Sequence, residues 1–253
     1  MDGTTEPVVA VIGHPIAGNP SQFAIERALL SMDLPWRVMS FDVQPEQVAT
    51  ALNGLETLAF RGVLIDESLA DPATRWYSDR DPSNAPSTPL GCLYRSPDDF
   101  TNFCGDSPTS SWLKERIEKH FSDRGKAIEN AIWLGTKDPL FPPGVVTFSA
   151  ESSRRKVSNP EAVAACDLVV ISDRDGKPIH LGVADWPRND ASTLVIDLTQ
   201  GHPDQAQIAE LGYSLISADA IRVGTIRQAM QDWTGDVPPD DVLQEAIEEY
   251  LAV

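Results

Sequence analysis

At 253 residues the chain is long enough for one large domain or two ordinary ones, and folding would remove roughly three quarters of its unfolded surface from water. Hydrophobic residues make up 42% and charged residues 23%, which excludes global disorder. Against 20 Lys and Arg stand 38 Asp and Glu, a net charge of −18 that repels nucleic acid and anionic membrane surfaces within a Debye length.

The opening Met1-Asp2-Gly3-Thr4-Thr5-Glu6 is acidic and has no apolar run, and no stretch approaches the roughly 18 apolar residues of a membrane span. The cysteines, Cys92, Cys104 and Cys166, are odd in number and form no CxxC pair, so they read as reduced thiols. A cytoplasmic protein is the expectation.

Residues 8–12 are a continuous apolar run ending at Gly13, the pattern of a strand buried on both faces. Asn19 suits an N-cap and Pro20 the first helical position, with Phe23, Ala24, Arg27, Ala28 and Leu30 following. Residues 36–43 read as a second strand. Pro45 opens a helix with Val48, Leu52 and Leu55 on one face, and 62–65 form a third buried strand. This βαβαβ opening implies parallel strands with right-handed crossovers.

The character changes from residue 71, and 78–87, poor in apolar residues, read as a surface loop. Residues 91–95 return to strand. Ser107-Pro108 then caps a helix carrying Trp112, Leu113, Ile117 and Phe121. A second half starts near Gly125, with strands at 131–134, 145–148, 167–171 and 193–197. Ser158-Asn159-Pro160-Glu161 has the form of a capping box, and a further helix spans 206–211. Two helices close the chain. One bears Ile226, Met230 and Trp233, the other the pairs Val242-Leu243, Ala246-Ile247 and Tyr250-Leu251.

Gly13-His14-Pro15-Ile16-Ala17-Gly18-Asn19-Pro20-Ser21 and Phe60-Arg61-Gly62-Val63 resemble the N-terminal signature of the shikimate dehydrogenases. That signature runs G-[NH]-P-I-A-H-S-x-S-P and later G-F-R-G-V-N-V-T-x-P-x-K. Residues 220–235, ending Gln231-Asp232-Trp233-Thr234-Gly235, resemble the family's late helix closing on W-T-G, and Asp106 falls on the Asp of its N-T-D-G motif. The resemblance implies an α/β fold of two domains. Residues 1–106 with 220–253 would form a substrate-binding domain, and 107–219 a truncated Rossmann-like domain, the closing helices returning to the first. It also implies hydride transfer between NADP and shikimate, with hydroxyls on the substrate carboxylate, a Lys–Asp pair at the reacting oxygen, and an Asn and a Gln on the ring hydroxyls. Lysine suits that task because a cation also stabilises a developing alkoxide.

Position by position the sequence departs from that pattern. Ser21 matches the second serine, but Asn19 replaces the first; the lysine position is Ala70, the strand-end Asn is Leu64, and the Gln position is Thr225. Ile65-Asp66-Glu67-Ser68-Leu69-Ala70 is acidic where the family is cationic, and Cys104-Gly105 precede Asp106 in place of Asn-Thr. Ser21 reads as a substrate contact or as an ordinary first-turn serine, Asn19 as a ligand group or an N-cap. Asp106 is a catalytic acid without its lysine, or a carboxylate complementing the helix that starts at Pro108.

A dinucleotide fold needs glycines after its first strand and a helix N-terminus aimed at the pyrophosphate. Here Gly135 is followed by Thr136-Lys137-Asp138-Pro139-Leu140-Phe141-Pro142-Pro143-Gly144, too short and proline-rich for a crossover helix before the strand expected at Val145. Ser153, Arg154, Arg155 and Lys156 stand near where NADP-dependent relatives hold the 2′-phosphate, and read either as that contact or as a solvated basic turn. His14, His120, His180 and His202 lack metal-binding spacing, and Asp66, Glu67 and Asp71 lack that of a calcium loop, so no metal is expected.

The expectation is a shikimate-dehydrogenase-like protein that keeps the architecture, needs no cofactor, and binds a partner or a small molecule such as a hydroxy acid. The alternative is an NADP-dependent oxidoreductase on shikimate, 3-dehydroshikimate or quinate with rearranged groups, Lys137 among the candidate acids. A third reading is a scaffold whose cleft is filled by side chains.

Overall fold

The fold comes from a computed structural model, which describes residues 6–80, 82–96, 99–136, 140–146, 160–173 and 179–252. In chain order the elements begin β1 (Val8–Gly13), α1 (Ser21–Ser31), β2 (Arg37–Asp42), α2 (Val48–Thr57), β3 (Gly62–Ile65), α3 (Ala70–Arg80), β4 (Cys92–Ser96) and β5 (Asp99–Asp106). They continue α4 (Pro108–Ser122), β6 (Ala131–Leu134), α5 (Pro160–Ala164), β7 (Leu168–Ile171), β8 (Leu194–Asp197), α6 (Gln205–Glu210), β9 (Ser214–Ile216), α7 (Ala218–Thr234) and α8 (Asp240–Leu251). The chain forms two compact units, Met1–Ser111 with Val223–Val253, and Trp112–Arg222. Among the described residues no helix is long and apolar enough to cross a membrane.

The first unit is built on a five-stranded sheet in the order β2-β1-β3-β4-β5. β1 pairs in parallel with β2 and β3, while β4 and β5 form an antiparallel hairpin on the β3 side. β1 is apolar throughout because both faces are covered. Val9 and Val11, with Leu64 and Cys92, pack under α1, α7 and α8; Ala10 and Ile12, with Val63, Ile65 and Leu93, pack under α2 and α3. Arg95, 4% exposed, donates to the carbonyls of Glu56, Phe60, Phe100 and Thr101, tying the hairpin to the end of α2.

The surface loop expected over 78–87 is corrected: 78–80 complete a helix over 70–80, 82–84 form a short 3-10 turn, and residue 81 lies outside the described residues. The Asp66 carboxylate accepts from the Ser68 amide at 3.0 Å and starts a 3-10 turn over Glu67–Leu69 that runs directly into α3. Ala70, Ala73 and Trp76 form its buried stripe. Glu67 and Asp71 therefore stand at the N-terminal ends of the 3-10 turn and of α3, where the peptide dipoles favour negative charge.

The second unit carries a four-stranded parallel sheet in the order β6-β7-β8-β9. Trp112, Leu113, Ile117 and Phe121 of α4 cover one face over Leu168, Val170, Leu194 and Ile196. Leu181, Trp186, Ile208 and Tyr213 cover the other over Val169, Ile171 and Val195. The strand expected over 145–148 is corrected over its described half. Val145 and Val146 lie outside any strand, packed against the α4-side core after the positive-φ Gly144 (φ +77°), while 147 and 148 fall outside the described residues. The capping box at 158–161 also begins outside them.

Candidate functional site

In an open α/β sheet the carboxyl ends of the strands form a crevice where the strand order reverses. In the first unit that point lies between β1 and β3, because the chain leaves β1 to add β2 on one side and returns to add β3 on the other. The loop after β1 brings Asn19 there and the turn after β3 brings Asp66. Asn19 Nδ2 donates to Asp66 Oδ2 at 3.1 Å, and Asn19 Oδ1 accepts from the Ser21 amide at 2.9 Å at the start of α1. Asn19 thus serves the helix start, while its amide group is turned to Asp66. Ser68 Oγ donates to Asp66 Oδ1 at 2.7 Å and accepts from the His14 amide at 3.1 Å. His14 Nδ1 lies 2.7 Å from Asp42 Oδ1, and this hydrogen bond holds the Asp42 carboxyl below its ordinary value.

Ser21, Leu64 and Ala70 are 7%, 5% and 5% exposed, so these three positions belong to the packed interior of the unit. Val11, Leu64, Cys92 and Asp106 form one row across the sheet, which sets Leu64 two strands from Asp106 on the same face. Leu64 brings no hydrogen-bonding group there, and Ala70 brings no cation.

Asp106 ends β5, and its carboxylate accepts from Ser111 Oγ at 3.2 Å, one turn into α4. Thr225 on α7 shares a hydrogen bond with Thr109 Oγ1 at 2.9 Å. Register places Cys92 opposite Asp106 and Tyr94 opposite Cys104, so all four side chains share one face of the hairpin. Over it lies α7, which presents Thr225, Gln228 and Asp232 along one stripe. Gln228 Nε2 donates to Asp232 Oδ1 at 3.1 Å, while Asp232 Oδ2 is buried without a hydrogen-bond partner. Burial first, and then the neighbouring Asp106 charge, push the Asp232 carboxyl up to about 6. Burial likewise pushes Tyr94 up to about 12 and the fully enclosed Cys92 thiol well above its usual range.

Sequence reasoning missed this second cluster. Asp232 stands inside the W-T-G stretch as an unremarked neighbour of Trp233, and the pairing of Tyr94 with Cys104 depends on a hairpin register that no local pattern reveals. The one available signal was the spacing Thr225, Gln228, Asp232 on a helix.

In the second unit the described start of the turn after β6, Gly135 and Thr136, is held by the side chains of Trp133 and Ser172. Gly135 has φ +115°, and a Cβ there would sit 2.0 Å from the Ser172 carbonyl oxygen, so only glycine allows the ends of β6 and β7 to approach this closely. Trp133 Nε1 donates to the Thr136 carbonyl at 2.7 Å and to Ser172 Oγ at 3.0 Å, and Ser172 Oγ donates to the same carbonyl. Among the described residues the first helix after Gly135 is α5, five residues long. Ser153 and Arg154, like Lys137 and Asp138, lie outside the described residues. Among the described residues no three His, Cys, Asp or Glu side chains gather as metal ligands.

No family model matches the chain. A shikimate dehydrogenase (NADP(+)) of Anaeromyxobacter sp. (strain K) is 24% identical over 262 residues, covering 94% of each chain. The structure of shikimate 5-dehydrogenase from Thermus thermophilus in complex with shikimate aligns with a TM-score of 0.68 at 17% identity, over 98% of this chain and 100% of the other. Quinate dehydrogenase from Corynebacterium glutamicum in complex with NAD gives 0.70 at 13% identity, over 96% and 99%. The chain has the two-unit α/β fold of the shikimate dehydrogenases and resembles that family along nearly its whole length.

Proposed function

We propose that this chain is a shikimate-dehydrogenase-like protein that does not oxidise shikimate with NADP, and that it binds a small molecule or a partner at the carboxyl ends of its first sheet. The observation that carries this reading is the Asn19–Asp66 hydrogen bond. These residues stand at the positions of the first motif serine and the motif threonine, where the resemblance calls for hydroxyls on a substrate carboxylate. Here they bind each other, and one is itself a carboxylate. Two unit charges 4 Å apart at an effective dielectric of 20 repel by about 4 kcal/mol, enough to remove most of a hydroxy acid's affinity.

The cofactor reading follows the same logic. A pyrophosphate needs free backbone N–H groups at a helix start. The described part of the Gly135 turn instead presents the Thr136 carbonyl, already engaged by Trp133 and Ser172. A second reading, an NADP-dependent oxidoreductase on shikimate or quinate with rearranged groups, draws on the retained Asp106 and on the full-length likeness to shikimate and quinate dehydrogenases. Calorimetric titration with NADP+ and with NAD+ separates the two. No binding heat is expected at physiological cofactor concentration, and a dissociation constant in the low micromolar range would favour the second reading.

A further inference from the structure

Asp232 is a carboxyl group in the wrong surroundings for a charge. One oxygen has a single donor, the Gln228 amide, and the other is buried with none. It sits on the last turns of α7, beside Trp233, whose indole N–H donates to the Leu93 carbonyl at 3.0 Å and anchors the helix to β4. The titratable groups that interact with it from the hairpin are Cys92 and Tyr94 on β4 and Asp106 on β5, with Cys104 acting on Tyr94. None of these is basic, and the nearby Arg227 of α7 is engaged with Asp240 at 3.1 Å.

The geometry points to a proton-operated latch: with its proton, Asp232 lets the end of α7 lie closed on the β4–β5 hairpin, and without it that part of the helix loosens from the strands. The ionised form must gain water at its buried Oδ2 or leave that oxygen unpaired beside Asp106, and a loosened end of α7 admits that water. The folded-state value, about 6, lies above the ordinary 3.8. The proton's contribution to the closed state is therefore complete below about pH 4 and is lost as pH rises through 6. This inference concerns the packing of α7 and is independent of whether the protein oxidises anything.

Cys92 lies fully buried in the core beneath α7 and reports the opening directly. The full-length protein is pulsed with iodoacetamide between pH 5 and 8 and labelling at each cysteine is read by mass spectrometry, in the wild type and in Asp232→Asn. Dividing one by the other removes the intrinsic pH dependence of thiol chemistry. The ratio at Cys92 is expected to exceed one already at pH 5, to rise about tenfold further by pH 8 and to level off above about 6, since each unit of pKa shift is a tenfold bias. Cys166, in the second unit, is expected to show no such rise. A flat ratio at Cys92, or an equal rise at Cys166, overturns the latch. Asp106→Asn gives a check that does not need the first variant to fold: the pH at which the wild-type rise levels off should move lower, and an unmoved levelling-off contradicts the assignment.

Discussion

Gly62→Ala is expected to destabilise the protein by about 2–6 kcal/mol, a large part of the roughly 5–15 kcal/mol that holds a typical domain folded. A methyl group at position 62 would lie 2.1 Å from Trp233 Nε1 and 2.2 Å from Cδ1, well inside van der Waals contact. Trp233 cannot step aside cheaply. It is 2% exposed in the core beneath α7, and its N–H is bonded to the Leu93 carbonyl. Overpacking alone costs about 1–3 kcal/mol, and displacing the indole would strand a buried donor for about 1–3 kcal/mol more. Urea denaturation measures the change. A midpoint within error of the wild type would mean that Trp233 does not pack on Gly62.

That contact also explains which parts of the protein were legible in its sequence. Gly62 belongs to the first motif and Trp233 to the last, and the structure joins them. Gly62 and Trp233, at the two ends that carry the family resemblance, thus hold the sheet and α7 together, while Asn19, Leu64, Ala70 and Thr225 differ from the residues that the resemblance calls for. β1, β3, β7 and β8 were readable because strands covered on both faces are continuous apolar runs. α3 was not, because its buried stripe is only Ala70, Ala73 and Trp76 within a polar stretch, and its start depends on a cap by Asp66 that reads as one acid among several. β5 escaped because it carries a single large buried side chain, Phe103, and its partner is set by the hairpin. The role of Asn19 was divided in the sequence between cap and ligand; in the fold its carbonyl oxygen does the first and its amide is taken by Asp66.

Restoring the missing lysine is expected to restore no activity. Ala70→Lys would place an ammonium at a position that is 5% exposed, at the start of α3, with Asp66, Glu67 and Asp71 as near neighbours in the chain. Burial of the long side chain works against it, and the nearby carboxylates offer it partners other than a reacting oxygen. A general acid is worth about 10² to 10⁴ in rate only when substrate and acceptor are held beside it. Leu64 and Thr225 stand where the resemblance calls for an Asn and a Gln, and Thr225 is bonded to Thr109. Steady-state rates of Ala70→Lys with shikimate should equal those of a no-enzyme control; a rise of about tenfold or more would show that lysine was the one part missing.

The most direct measurement is the formation of NADPH or NADH, followed by absorbance, when the unmodified full-length protein is given saturating shikimate or quinate with NADP+ or NAD+. The rate expected is that of the reaction without protein. Turnover by the wild type that is abolished in Asp106→Ala would contradict the proposed loss of activity and make this chain a working dehydrogenase.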